Sequence, residues 1–312
     1  MQVILSADIG GTGIRVAVYP LSGSHTPFVQ KRIPTKGEGS PVERLIALLE
    51  ELWPKDHQVM GIAAGVPGPV DPYNGIIFTA PNIADWKNLP LAQILTDHFK
   101  VPAFIGNDAN MACLGEWKFG AGQGHRDMIY ITISTGIGTG VLSDNQLLLG
   151  AKGLATEMGH MVVNPDGPMC GCGHRGHIEA YSSGTAIANF VSEQLKIGRK
   201  SIIHPEPKPN AKQIADAALV GDELSLEAFT RAGKYLGIGI ANFLHTFNPS
   251  IIVLGGGVSQ TGNLILKPMR QSLESQVLSD EYLNGLIIAP AQLEDNCGLL
   301  GALAYAQINL NK

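Results

Sequence analysis

The sequence predicts an α/β protein of two lobes with a cleft between them, and three observations predict it. Short β-rich runs alternate with helical patterns along the chain. A strand, Gly/Thr turn, strand unit occurs twice, once around residues 8–13 and again around 134–140, as two related halves would produce. The 312 residues are 45% hydrophobic and 16% charged, enough apolar material for two medium domains at roughly 100–200 residues each.

The elements follow in order. Residues 3–7, 14–19 and 28–33 are β-rich runs and read as successive strands, the first two joined by Gly10-Gly11-Thr12-Gly13. Residues 42–53 (VERLIALLEELW) carry apolar positions at helical spacing. A buried strand at 59–64 runs into Gly65-Val66-Pro67-Gly68. A helix at 91–99, a strand at 103–106 and a helix at 109–119 follow, the last after the polar turn Asn107-Asp108. The pattern then restarts with strands at 128–134 and 141–142 around the turn 135–140. Residues 150–183 form a loop-rich insert. Helices at 186–195, 211–219 and 223–247, strands at 251–254 and 286–290, and a helix at 299–307 complete the chain, with 202–212 an exposed, proline-rich loop. This divides the chain into a small lobe, 1–118 plus the C-terminal helix 296–312, and a large lobe, 119–295.

Composition narrows the function. A formal charge of −5 with no Lys/Arg run argues against nucleic acid or an anionic membrane as partner. The opening MQVILSADIGG lacks the basic start of a signal peptide, and no stretch approaches the ~18 apolar residues of a membrane span. Four cysteines, Cys113, Cys170, Cys172 and Cys297, do not make a disulfide framework in a chain of this size. The expectation is a cytoplasmic protein.

Several clusters carry chemistry. In Asp8-Ile9-Gly10-Gly11-Thr12-Gly13 the glycines let backbone N–H groups turn toward a phosphate, and the acid can orient Mg²⁺ or its waters. Thr135-Gly136-Ile137-Gly138-Thr139-Gly140 repeats the arrangement, as suits a nucleotide gripped from both halves. Gly255-Gly256-Gly257 after an apolar strand is either a bed for adenosine or a tight turn. No G-x-x-x-x-G-K-[ST] loop is present. Asp108, between a strand and a helix, is either a base for an attacking hydroxyl or a helix N-cap. His160, Cys170, Cys172 and His177 match a tetrahedral Zn²⁺ ligand set, closed and therefore structural. Glu157 and Glu179 flank it, carboxylates able to hydrogen-bond sugar hydroxyls.

The ordered strings DIGGTGIR (8–15), GVPGPVD (65–71), APN (80–82), GNDAN (106–110), STGIGTG (134–140), EMGH (157–160), DGPMCGCGHRGHIEAYSSG (166–184) and LGGGV (254–258) resemble the ROK family of sugar kinases over residues 3 to about 305. The resemblance implies the ribonuclease-H-like, actin/hexokinase-type two-lobed fold, with the zinc-stabilised loop, Mg·ATP as donor and a homodimer. It implies Asp108 as base, and Gly65, Asn82, Asn107, Asp108, Glu157, His160 and Glu179 about the sugar. It places Asp8, Gly10, Gly11, Thr12, Gly13, Thr135, Gly136, Gly138, Gly255, Gly256 and Gly257 about ATP and Mg²⁺, and zinc on His160, Cys170, Cys172 and residue 177. Two positions depart from the family pattern. Residue 177 is histidine where most members have cysteine, and residue 13 is glycine where many carry Lys or Asn. The implied reaction is phosphorylation of the 6-hydroxyl of a hexose, glucose first, with mannose, fructose or an N-acetylated hexosamine as alternatives. The rivals are a sugar-responsive repressor, for which Asp8 leaves no room for a preceding DNA-binding domain, and a sugar-binding protein without catalysis.

Overall fold

The computed structural model describes residues 1–83 and 85–311. The chain forms two compact units: Met1–His125, Gly140–Thr156 and Ala291–Lys312 in the first, Arg126–Thr139 and Glu157–Pro290 in the second.

The first unit opens with β1 (Gln2–Ile9), β2 (Gly13–Pro20) and β3 (Val29–Pro34), an antiparallel meander. Helix α1 (Pro41–Glu51) starts at a capping box, Ser40 Oγ accepting from Glu43 N–H at 3.2 Å and Glu43 Oε2 from Ser40 N–H at 2.7 Å, with Pro41 at the first helical position. Strand β4 (Gln58–Val66) lies parallel to β1. Three short strands, β5 (Val70–Asp71), β6 (Ile76–Thr79) and β7 (Lys87–Leu89), make an antiparallel flap. Helix α2 (Leu91–Phe99) leads to β8 (Ala103–Asn107), parallel to β4, and α3 (Asp108–Phe119) follows directly. The sheet order is β3-β2-β1-β4-β8. One face packs Leu45, Leu48 and Leu49 of α1 with Leu91 and Leu95 of α2.

In the second unit, β9 (Met128–Ile133) precedes β10 (Ile137–Ser143), a strand whose far half belongs to the first unit. There it turns through Asp144 and Asn145, both at positive φ, into β11 (Gln146–Leu147). The glycine-rich stretch at 134–140 is therefore a turn only over its first residues. Gly138 lies in a strand, because Ile137 and Thr139–Leu142 are buried and satisfy their backbone as a ladder. After the loop that carries Cys170, Cys172 and His177 come α4 (Glu179–Ser182), α5 (Gly184–Lys196), α6 (Ala211–Leu219) and the 25-residue α7 (Glu223–Phe247). Strand β12 (Ile251–Gly255) is parallel to β9, and α8 (Asn263–Gln276), with Pro268 inside it, packs on α7. Strand β13 (Ile287–Pro290) is parallel to β12. Helix α9 (Cys297–Leu310) then returns to the first unit, where Leu299, Leu300 and Leu303 cover the sheet face bearing Ile4, Ala17 and Tyr19.

Residues 119–125, 140–156 and 291–295 thus group with the first unit rather than with the large lobe of the sequence division. Contacts hold them there: Tyr73 Oη donates to the Gly150 carbonyl at 2.8 Å, and Glu116 accepts from the backbone N–H groups of Gln292 and Leu293 at 2.8–3.1 Å.

Candidate active site and metal loop

In the first unit, register aligns the ends of the parallel strands. Asp8 of β1 pairs with Gly65 of β4, and Gly65 with Gly106 of β8, so three motifs distant in sequence meet along one carboxyl edge. The turn after β1 is closed by Gly10 N–H donating to the Gly13 carbonyl at 2.9 Å. Thr35, buried past the end of β3, ties it down, its hydroxyl donating to the Gly10 carbonyl at 2.5 Å and its N–H to the Thr12 carbonyl at 3.3 Å. Arg15 forms a salt bridge with Asp8, both donors on Oδ2. Asn82 lies against the turn: a Cβ on Gly11 would stand 2.8 Å from the Asn82 Cβ.

At the same edge β8 passes into α3 without a loop. Asn107, not Asp108, is the N-cap, its Oδ1 accepting from the N–H groups of Ala109 (2.9 Å) and Asn110 (3.2 Å) while its Nδ2 donates to the Gly68 carbonyl at 3.1 Å. Asp108 is the first helical residue, exposed, with one oxygen accepting from Ala109 N–H at 2.9 Å. The capping function that competes for an acid at this turn is filled by its neighbour.

In the second unit, ligand atoms of His160, Cys170, Cys172 and His177 all lie within 4.8 Å of one another. Cys170 Sγ is 3.7 Å from His160 Nδ1, and Cys172 Sγ 3.3 Å from His177 Nδ1. A tetrahedral zinc with Zn–S near 2.3 Å and Zn–N near 2.0–2.1 Å requires S···N edges of about 3.5 Å, so the four donors fit the ion. Burial pushes the Cys170 thiol up to about 12, opposed by the Cys172 backbone N–H and reinforced by side-chain hydrogen bonding to Cys172 and by the Glu179 carboxylate, so a thiolate there needs a cation beside it. The His177 imidazole is held below its ordinary value by burial and then by His160 and His174, which keeps it in the neutral, ligating form.

Glu179 opens α4 and joins the cluster to the second glycine turn. Its Oε2 accepts from Ile137 N–H at 2.8 Å and its Oε1 from Cys170 Sγ at 3.3 Å. A Cβ on Gly136 would stand 2.6 Å from Oε2, so the carboxylate occupies the space that residue lacks. Glu157 is exposed as a residue, yet desolvation of its carboxyl raises its pKa, opposed by His160 and reinforced by Glu179.

The carboxyl ends of β9 and β12 frame a cavity of ≈ 810 Å³ lined by Thr135, Gly184, Lys208, Asn210, Gly257 and Val258 among others. Gly256 makes the turn there at φ +82°, where a Cβ would stand 2.4 Å from the Ile133 carbonyl oxygen, a place open only to glycine. Of the residues the sequence assigned to nucleotide, Thr135 and Gly257 line this cavity. Gly136 instead backs Glu179, and Gly255 ends β12 against Tyr130. Lys208 and Asn210 were missed because 202–212 reads as solvent loop. The signal was Asn210-x-x-Gln213, a capping box that opens α6 beside the cavity.

The ROK family profile matches residues 4–308. The chain belongs to the ROK family. This ROK protein is 36% identical over 306 residues to a glucokinase of Thermotoga maritima, covering 96% of this chain and 95% of that one. It is 37% identical over 294 residues to the xylose repressor of Bacillus subtilis, covering 94% of this chain and 71% of the repressor. Among solved structures, a ROK family glucokinase from Streptomyces griseus in complex with glucose and AMPPNP matches with a TM-score of 0.80 at 32% identity, over 98% of this chain and 99% of that chain. The fold is accordingly of the actin/hexokinase type. Among the described residues no helix is long and apolar enough to cross a membrane.

Proposed function

We propose that this ROK protein is an ATP-dependent hexokinase that transfers the terminal phosphoryl group of ATP to the 6-hydroxyl of a hexose, with glucose the leading substrate. The observation that carries the reading is the position of Asp108, an exposed carboxylate at a strand-to-helix junction whose N-cap is supplied by Asn107. Asp108 takes the proton of the attacking hydroxyl as that oxygen bonds to phosphorus and ADP leaves. Gly65, Asn82, Asn107, Glu157, His160 and Glu179 are the proposed sugar contacts. Asn107 keeps one amide hydrogen beyond the one given to Gly68, and His160, with Nδ1 toward Cys170, keeps Nε2. Backbone N–H groups of the Gly10–Gly13 turn other than that of Gly10 are proposed toward the phosphates, and Asp8 would hold Mg²⁺. Bound there, Mg²⁺ neutralises charge developing on the phosphoryl oxygens. Zinc on His160, Cys170, Cys172 and His177 is proposed as structural, pinning the segment that carries His160 and Glu179. The cavity at Thr135 and Gly257 is proposed for adenosine, the protein as a cytoplasmic homodimer. The glucokinase similarity and the glucose–AMPPNP complex of a relative support glucose and ATP.

A panel of hexoses with Mg·ATP, read as ADP release, tests the reading. Glucose should give the highest kcat/KM. No sugar-dependent ADP release with any hexose would sink it. That result would favour the reading suggested by the xylose repressor similarity, a chain that binds sugar without turning it over.

A further inference from the structure

We infer that Arg32 is a phosphate-contacting residue, its guanidinium holding the terminal phosphoryl group of the donor at the Gly10–Gly13 turn. The inference rests on the kinase reading above. Register places Asp8, Arg15 and Arg32 in one row across β1, β2 and β3, and Gly13, two residues from Arg15, projects to the same face. Arg32 reaches along that face and lies over Gly13: a Cβ built there would stand 2.9 Å from Nε and 3.2 Å from Nη2. Any other residue at 13 would displace the guanidinium, so the glycine and the arginine occupy one space between them.

The two arginines are engaged differently. Arg15 is committed to Asp8. Arg32 is exposed and has no hydrogen-bond or salt-bridge partner among the described residues. Thr35, three residues on, fixes the end of β3 to the turn, so the strand that carries the cation and the loop that presents N–H groups move as one piece. A planar fork of donors beside the backbone of a tight glycine turn offers a site for phosphoryl oxygens. The turn belongs to the unit that bears Asp108, which makes the transferred phosphoryl group the one it meets.

The test compares wild type with Arg32→Ala, Arg32→Lys and Gly13→Ala, using steady-state kinetics and equilibrium binding of Mg·AMPPNP and Mg·ADP. Loss of a charge-assisted contact should lower kcat/KM for Mg·ATP in Arg32→Ala by roughly 10–100-fold. Arg32→Lys should recover part of the loss, because it keeps the charge without the fork. Gly13→Ala should follow Arg32→Ala although the charge remains in the protein. KM for the sugar and the melting temperature should stay at wild-type values, since Arg32 holds nothing in the fold. Mg·AMPPNP should bind more weakly to Arg32→Ala while Mg·ADP binds equally. Wild-type kinetics in Arg32→Ala, or equal weakening of both nucleotides, would overturn the assignment. Should wild type turn over no hexose, the kinase reading falls, and the binding comparison still decides for or against Arg32.

Discussion

Asp108→Asn separates a catalytic carboxylate from a helix-capping one, because the structure assigns the two roles different magnitudes. Asparagine retains an oxygen in the position that accepts from Ala109 N–H at 2.9 Å, and Asn107 continues to cap Ala109 and Asn110. What folding loses is one negative charge at the first turn of α3, worth about 0.3–1 kcal/mol at an exposed site. For a chain of this size that corresponds to a fall of no more than about 4 °C in melting temperature. Chemistry loses the acceptor for the hydroxyl proton, a factor of roughly 10²–10⁴ in kcat, or about 2.7–5.4 kcal/mol of transition-state stabilisation. The assay is initial-rate ADP release at saturating sugar and Mg·ATP, with sugar binding by calorimetry and a thermal melt on the same preparation. The expected outcome is a large drop in kcat, an unchanged sugar Kd and a nearly unchanged melt. A kcat within about threefold of wild type would refute the base assignment. A variant that melts far lower and no longer binds sugar would show that the acid holds the helix instead.

Three further outcomes follow from the same geometry. Purified protein should carry close to one zinc per chain; His177→Cys should retain it and His177→Ala lose it, with a lower melting temperature, whereas zinc retained at the wild-type level in the Ala variant would remove His177 from the ligand set. Glu116→Ala should destabilise the first unit by about 3–5 kcal/mol in urea unfolding, because a fully buried carboxylate that accepts from Ala121, Gln292 and Leu293 N–H groups at 2.8–3.1 Å leaves all three unpaired; an unchanged midpoint would contradict this. Asp222 caps α7, and although burial opposes its charge, hydrogen bonds from Ser225, Ile202 and Ser201 hold its pKa below the ordinary value. Its contribution is therefore complete above the unfolded pKa of about 3.9 and is lost as pH falls through the lower, folded one, so the stability gap between wild type and Asp222→Asn should be full at pH ~7 and begin to close only as pH falls below ~4, as parallel urea titrations would detect.

What the sequence disclosed depended on how local each feature is. The first glycine turn and the GNDAN junction stand at the ends of apolar strands, and strand periodicity alone locates such ends. The four candidate metal ligands fall between residues 160 and 177, so their meeting needs no knowledge of the fold. Gly138 was misplaced because Gly-Ile-Gly-Thr-Gly reads as a loop, whereas burial on the strand and the Glu179 contact to Ile137 make it a ladder. Helix α8 escaped because Pro268 interrupts its pattern, and β5 to β7, at two to four residues, are too short to show a period. Arg32 and Thr35 act on a turn more than 18 residues earlier through strand register, which sequence spacing does not encode.

The return of α9 to the first unit bears on the order in which this molecule can mature. Strands β1, β4 and β8, which set out Asp8 and the approach to Asp108, leave the ribosome early, but the face bearing Ile4, Ala17 and Tyr19 has no cover until Leu299, Leu300 and Leu303 arrive. Gly298, at the start of that helix, also abuts the carboxylate of Asp8, and a Cβ there would stand 2.8 Å from its Cγ. An early segment of the chain is thus completed by one nearly 300 residues later. During translation its apolar sheet face stays uncovered while residues 157–290, with 126–139, already have their own unit in hand.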